Sequence, residues 1–302
     1  MKLNSTLAGT SLAPVIASAL LAFAANASAQ SLGAASDYNY FVFGDVTLSN
    51  TDVEGRAAIG GNATFNNYGV GDKLTSNNGY SLVVDGNLSY TNGQVFHGSV
   101  IHGGSITSSG LGVPNGSIVK GDYIDFDAAE SQLKNLSNTL AGVSTTGTTS
   151  NSYGSLSFNG SSSSLNVFST QGSVIDSAHN FQVYAPAGST VLINIAGQSV
   201  TWDNMSVGLN GVENYNVIYN FYEATSLNMS GIGINGSVLA PKADVIFNNG
   251  QFNGTLVAKS LAGNGEFHHT GFQGALPVPE PSSFALAIGS IAGLLLFRRR
   301  SI

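Results

Sequence analysis

Cysteine is absent from the 302-residue chain. That excludes disulfide staples, thiolate nucleophiles and Cys-ligated metal sites. It does not argue against export. Charge is scarce as well: only 9% of residues are charged, where about 25% is usual for a soluble globular domain. Between residues 30 and 279 the basic side chains are Arg56, Lys73, Lys120, Lys134, Lys242 and Lys259. They face sixteen acidic ones, the chain's 17 less Glu280. No cluster of Lys or Arg interleaves with aromatics. A body of this charge does not hold nucleic acid or anionic lipid by electrostatics.

What is present is glycine, at 38 residues, together with many Ser, Thr and Asn and an apolar fraction of 42%. Little charge combined with recurring β-branched and aromatic residues points to β-structure and away from disorder.

The two ends differ from the middle. Lys2 precedes an apolar run from about Leu12 to Ala25, and Ala27-Ser28-Ala29 then offers small residues at the positions a signal peptidase reads. Residues 1–29 are therefore predicted to be a secretory signal peptide, cleaved after Ala29. Near the other end, Phe284 to Phe297 is an apolar segment of about 21 Å if helical, followed by Arg298, Arg299 and Arg300. A full span needs about 20 residues. This one crosses if Pro281, Ser282 and Ser283 sit in the interface, with the arginines cytoplasmic. The body is predicted to run from 30 to 276.

Along the body, short apolar runs alternate with Gly, Asn and Asp, as in "VFGDVTL", "AIGGNATF", "VVDGNLSY", "IHGGSIT" and "VKGDYI". Their glycines are Gly44, Gly61, Gly86, Gly104 and Gly121. Later, Gly236 and Gly254 repeat the interval. Each unit is too small to bury a face alone, so stacking is required. The predicted fold is all-β dominated: a parallel β-helix or β-solenoid with one flanking amphipathic helix. A β-sandwich is the alternative, because the frequent Asn-Gly pairs also suit hairpins.

"DFDAAESQLKNLSNTLAG" breaks the pattern. Phe126, Ala129, Leu133, Leu136 and Leu140 recur at helical spacing, which predicts a helix over about 128–141 packed on the β body, with Asp127 and Glu130 as its capping box and Gly142 as its stop. The uncharged stretch 142–164 reads as a polar loop or a weak strand pair. "STVLINIAG" alternates around Val191, Ile193 and Ile195, with Leu192 also buried. Pro241 marks a corner or an edge.

Candidate chemistry is thin. Asp122, Asp125 and Asp127 are weak calcium candidates by their oxygen spacing. His97 and His102, or His268 and His269, lack a third ligand in sequence, and the adjacent pair points to opposite faces if extended. Asp45, Asp52, Glu54 and Asp85 fall near strand ends, but a hydrolytic carboxylate pair needs a cleft about 5–9 Å wide, which no sequence pattern displays. Glycine-rich segments lack the Lys-Ser/Thr of a phosphate loop. No catalytic residue and no cofactor is assigned, and an enzyme is not expected. Asn, Thr and Tyr along a flat β face suit multivalent contact with a polymer, exopolysaccharide foremost; a passive structural surface is the alternative.

Two resemblances add to this reading. Pro279, Glu280 and Pro281, the apolar stretch and the terminal arginine cluster together resemble the PEP-CTERM sorting signal over residues 278–302. The resemblance implies recognition by an exosortase in a Gram-negative bacterium, and membrane contact through the tail before processing. The body resembles the choice-of-anchor A domain through "DVEGRAAIGGNATFNNYGVG", "PAGSTVLINIAG", "NFYEATSLNMSGIGINGSVLAPKADVIFNNGQFNGTLVAKSLAGNGEFH" and "FQGALPVPEP". This implies an adhesive or matrix-associated surface protein, located at the cell surface, in the outer envelope or in the extracellular matrix, with a β-helical body.

Overall fold

Four times in the first half, a short apolar strand is followed by a longer one: Tyr40–Val42 then Val46–Val53, Ala57–Ile59 then Ala63–Val70, Tyr80–Val84 then Leu88–Val95, and Ser99–His102 then Ile106–Gly112. Each longer strand turns a corner midway, at a residue with positive φ: Asn50 (57°), Asn67 (50°), Asn92 (53°) and Gly110 (70°). Asparagine and glycine are the residues that enter this region readily. Every coil therefore has three sides, here called faces A, B and C. The computed structural model describes residues 31–277, and all statements below concern them.

The coils stack by parallel pairing. On face A, Phe41 lies beside Ala58, Ala58 beside Val83 and Val83 beside Ile101. On face B, Thr47, Thr64, Ser89 and Thr107 are neighbours in turn. The architecture is the expected β-solenoid. The sandwich alternative fails because a sandwich is built on antiparallel ladders, whereas here one hairpin alone pairs that way.

The glycine rhythm marks the corner between faces A and B. The N–H groups of Gly61, Gly86 and Gly104 donate to the carbonyls of Gly44, Gly61 and Gly86 at 3.1, 3.0 and 2.9 Å. A Cβ on Gly61 would lie 2.5 Å from the Gly44 carbonyl carbon, and one on Gly86 would lie 2.6 Å from the Gly61 oxygen. Close stacking of main chain leaves no room for a side chain there. Gly121 sits one step earlier and donates to His102.

The winding is not continuous from one end to the other. The last coil pairs with the first: Leu256, Val257 and Ala258 lie along Tyr40, Phe41 and Val42, Leu261 beside Val46, and Phe267 beside Val53. From this seam the first half builds outward to Ile118–Lys120, while the second half builds toward the seam from the opposite end. The helix Phe126–Ala141 carries the chain between those ends.

That helix explains why face A reads as continuous apolar triplets while B and C alternate. Strands covered on both sides need apolar residues at every position. The outward residues Phe41, Ala58, Val83, Leu192, Ile218, Leu239 and Val257 are buried with Phe126, Ala129, Leu133, Leu136 and Leu140 of the helix. Leu192 is thus buried as expected. A polar network fixes the seating: Ser137 Oγ donates to Asn220 Oδ1 (2.6 Å), Asn220 Nδ2 to Ser137 O (2.9 Å) and Asn194 Oδ1 (2.8 Å), and Asn194 Nδ2 to Leu140 O (2.8 Å).

One expectation needs correction. The helix begins at Phe126, not 128, and its cap is Asp125, whose carboxylate accepts from Ala128 N–H at 2.9 Å. Asp127 and Glu130 form no capping box. Starting earlier turns Phe126 onto Phe41, at 5.1 Å between ring centroids, and frees Glu130 to pair with Lys134. Of the two readings of 142–164, the strand pair holds: Thr148–Ser152 and Ser155–Asn159 form an antiparallel hairpin. Its second strand continues face C beside Asn180–Tyr184. Pro241 sits where the pairing register shifts between Ala240 and Asp244, the expected corner.

Candidate functional site

Face B of the first half presents a regular polar surface. Along each of its strands, alternate residues point inward. Val46, Leu48, Ala63, Phe65, Leu88 and Tyr90 are all buried. The residues between them point out: Thr47 and Ser49, Thr64 and Asn66, Ser89 and Thr91, Thr107 and Ser109. In-register pairing sets these side chains in two columns, about 4.8 Å apart between coils and about 6.8 Å apart along a strand. None of the eight is charged.

The corner beside them is stiffened by a third column. Asp45 Oδ1 accepts from the Asn62 N–H (2.7 Å) and Nδ2 (3.1 Å), Asn62 Oδ1 from Asn87 N–H (2.9 Å) and Nδ2 (3.0 Å), and Asn87 Oδ1 from Ser105 N–H and Oγ, both 2.8 Å. Behind the array lies a packed core in which Phe65 stacks on Tyr68. Backbone and side chains therefore hold the columns in place before any ligand arrives.

The regularity ends at the seam. Continuing the central column through the second half gives Ala262, Ile246, Asn228 and Thr201. Ile246 stands 49% exposed in this row. Asp244 beside it accepts from Ser260 Oγ (2.7 Å) and from Lys259 Nζ (3.0 Å), contacts that hold its carboxyl below the usual range. The uniform hydroxyl and amide surface belongs to the first half.

Offsets from the corner glycines carry the signal for this array. The third residue after Gly44, Gly61, Gly86 and Gly104 is Thr, Thr, Ser and Thr; the fifth is Ser, Asn, Thr and Ser. Sequence reading located the glycines but not the aligned columns between them.

The other candidates are dispersed. Asp122, Asp125 and Asp127 do not form a convergent ligand group, and Asp125 is occupied as the helix cap. Asp85 lies near Asp122 and Asp127; partial burial first, and then those two charges, raise its pKa. Asp45 belongs to the corner ladder, whereas Asp52 and Glu54 lie on face C, so these carboxylates do not face each other across a cleft. His97 engages Asn77 through Nδ1 (2.7 Å), and His102 is buried with Nδ1 3.3 Å from Gly104 O.

His268 joins a group that sequence reading missed. Glu54, Glu266 and His268 place one ligand atom each within 4.8 Å of one another. Asp52 stands close by; burial, then Glu266, Asp72 and Glu54, raise its pKa.

The predicted cleavage residues Ala27 and Ala29, the tail residues Pro279, Glu280, Pro281, Arg298, Arg299 and Arg300, and the apolar segment 284–297 lie outside the described residues. Among the described residues, no helix is long and apolar enough to cross a membrane.

Residues 31–269 match the protein family described as "Putative Ice-binding-like adhesive domain". A search of curated proteins finds no match. Solved structures with a related chain path include three ice-binding proteins. One comes from an Antarctic biological consortium, at 16% identity and TM-score 0.39, covering 80% of this chain and 90% of that one. A second is LeIBP from an Arctic yeast, at 12% and 0.36, covering 84% and 97%. The third comes from an Antarctic Flavobacteriaceae bacterium, at 14% and 0.34, covering 80% and 78%. At this distance no residue role carries over.

Proposed function

The chain belongs to the ice-binding-like adhesive domain family, and from that premise we propose that it is an exported surface adhesin whose first-half face B grips a neutral exopolysaccharide by multivalent hydrogen bonding. The observation that carries the reading is the pair of uncharged columns at Thr47, Thr64, Ser89 and Thr107 and at Ser49, Asn66, Thr91 and Ser109. A hydroxyl donates one hydrogen bond and accepts two, so the surface meets the hydroxyls of a sugar chain in either sense. Each such bond contributes only about 1 kcal/mol net. Several formed together on a rigid lattice give useful affinity, because little ordering cost is added on binding. The acidic surplus of the body selects against polyanions. Ice is the second ligand this regular, flat array suits, and it shares the requirement for preset spacing.

Thr64→Arg combined with Ser89→Arg places two bulky cations at the centre of the array without touching the core. Retention on purified host exopolysaccharide is expected to fall about tenfold or more, as two or three bonds are lost, at unchanged melting temperature. Equal retention would remove face B as the contact surface. Exclusive uptake of the wild type into growing ice would assign the array to ice.

In the same proposal the ends deliver the module. A signal peptidase removes residues 1–29, and an exosortase acts on the tail. A variant with Pro279, Glu280 and Pro281 all changed to alanine is expected to keep its tail, seen as a heavier, membrane-retained product. Unchanged processing would refute the sorting step.

A further inference from the structure

We propose that Glu54, Glu266 and His268 bind one divalent cation of the zinc class and that this ion clamps the first coil of the solenoid to the last. Glu54 follows the strand Val46–Val53 of the first coil. Glu266 opens the last strand, Glu266–Phe267, and His268 follows it. The two strands meet at Val53 and Phe267, and Glu54 N–H donates to Phe267 O at 2.8 Å. The three ligand atoms thus converge from opposite sides of the seam, all on half-buried side chains.

The orientation of the imidazole points to a cation. Asn235 Nδ2 donates to the main-chain oxygen of Val207 at 2.9 Å, and a carbonyl can only accept. The Asn235 amide is therefore fixed, with Oδ1 free to accept from Asn253 Nδ2 at 3.1 Å. Asn253 must then present its own Oδ1 to His268 Nδ1, at 2.7 Å. A proton is required on Nδ1, which leaves the lone pair of the neutral ring on Nε2. That atom stands 3.5 Å from Glu266 Oε1. Glu54 Oε2 accepts from the His269 N–H at 2.8 Å; apart from that bond, the two carboxylates and the lone pair of the neutral ring face one another with no donor between them. A second hydrogen-bonded partner that fixes the ring of a ligating histidine is the usual support of a zinc site.

The charge balance agrees. Asp52 and Asp72 add negative potential beside Glu54 and Glu266, and the one nearby ammonium, Lys73, is exposed and paired with Asp72 at 2.6 Å. Two carboxylates with one imidazole suit zinc, with water completing the shell; the imidazole favours transition metals over calcium. A seam without cysteine has no covalent clamp, and an ion between residues distant in sequence would supply one.

The test uses the purified protein, stripped with EDTA and titrated with ZnCl2, CaCl2 or MgCl2. One Zn2+ per chain is expected, with the melting temperature raised by about 6 °C at a hundredfold excess over Kd. Glu54→Gln and His268→Gln should melt normally in EDTA and lose the zinc shift. Asn253→Leu, which removes a positioning residue only, should weaken zinc binding about tenfold. Should these variants fail to fold, Co2+ bound to the unmutated protein reports the ligand set through its visible spectrum and the shifted imidazole resonances. Absence of stoichiometric zinc, a zinc shift that survives His268→Gln, a cobalt spectrum without imidazole, or a response to calcium alone would each overturn the proposal.

Discussion

Trp202→Ala is expected to lower the stability of the folded body by about 4 kcal/mol, the usual scale for deleting a buried indole. Trp202 is fully buried on the inner side of face B. Its ring lies 4.9 Å from that of Tyr219 in an edge-to-face arrangement, 5.2 Å from Phe181 and 5.9 Å from Phe221. Those neighbours come from the coil before it (Phe181) and the coil after it (Tyr219 and Phe221), so the cavity would loosen contacts between rungs rather than within one. The indole N–H has no hydrogen-bond partner among the described residues. A buried unpaired donor carries a desolvation cost. Trp202→Phe keeps most of the ring contact and removes that donor, so its loss should stay below about 2 kcal/mol. Urea titrations followed by far-UV circular dichroism measure both, since the only tryptophan of the chain is the one removed. Equal losses for the two variants would show that ring packing is not what Trp202 contributes.

Much of this fold was legible because a solenoid repeats its constraints locally. Gly44, Gly61, Gly86 and Gly104 are visible as a rhythm because each coil needs bare backbone at the same corner. The helix was legible from its period, since one stripe must cover face A. Its exact start was not: Asp125 and Asp127 are both competent caps, and the choice fell to the packing of Phe126 on Phe41, a contact between distant segments. The hairpin at 148–159 was legible only as one of two readings, for a related reason. Its residues are polar and exposed on the first strand, so no apolar alternation announces it; it forms because the end of the stack presents an open edge, which invites a pairing partner.

The seam was the least legible feature. Nothing local marks Val42 as the neighbour of Ala258, or Val53 as that of Phe267. Both halves carry the same kind of coil, and the order of stacking is decided only when the helix has returned the chain. The Glu54, Glu266 and His268 group shares this origin. Sequence reading found no third ligand for His268 and set it apart from His269, whereas the fold brings it to Glu54 of the first coil. By contrast, the hydroxyl columns of face B were present in the sequence at fixed offsets from the glycines, and needed only the coil alignment to be read.

The return of the chain gives the second large effect. Asn220→Leu is expected to destabilise the body by about 3 kcal/mol, although leucine is apolar and the site is fully buried. Asn220 satisfies the Ser137 hydroxyl, the Ser137 carbonyl and the Asn194 side chain together. Leucine would strand the Ser137 hydroxyl and the Asn194 side-chain oxygen, while the Ser137 carbonyl keeps its helical partner, and each buried group left unpaired costs about 1–3 kcal/mol, offset in part by the added apolar burial. The loss should therefore depend on the partners. In a triple variant Asn220→Leu, Asn194→Leu and Ser137→Ala the stranded side-chain groups are gone, and at least half of the stability should return, because replacing every member of a buried polar network by apolar groups is close to neutral. Hydrogen exchange locates the effect: protection should fall first in Phe126–Ala141 and in Val217–Asn220 for the single variant, while Ala57–Ile59, held by its own parallel neighbours, keeps its protection. If the triple variant were less stable than Asn220→Leu alone, the network would be contributing shape rather than polar satisfaction, and the seating of the helix would rest on its leucines alone.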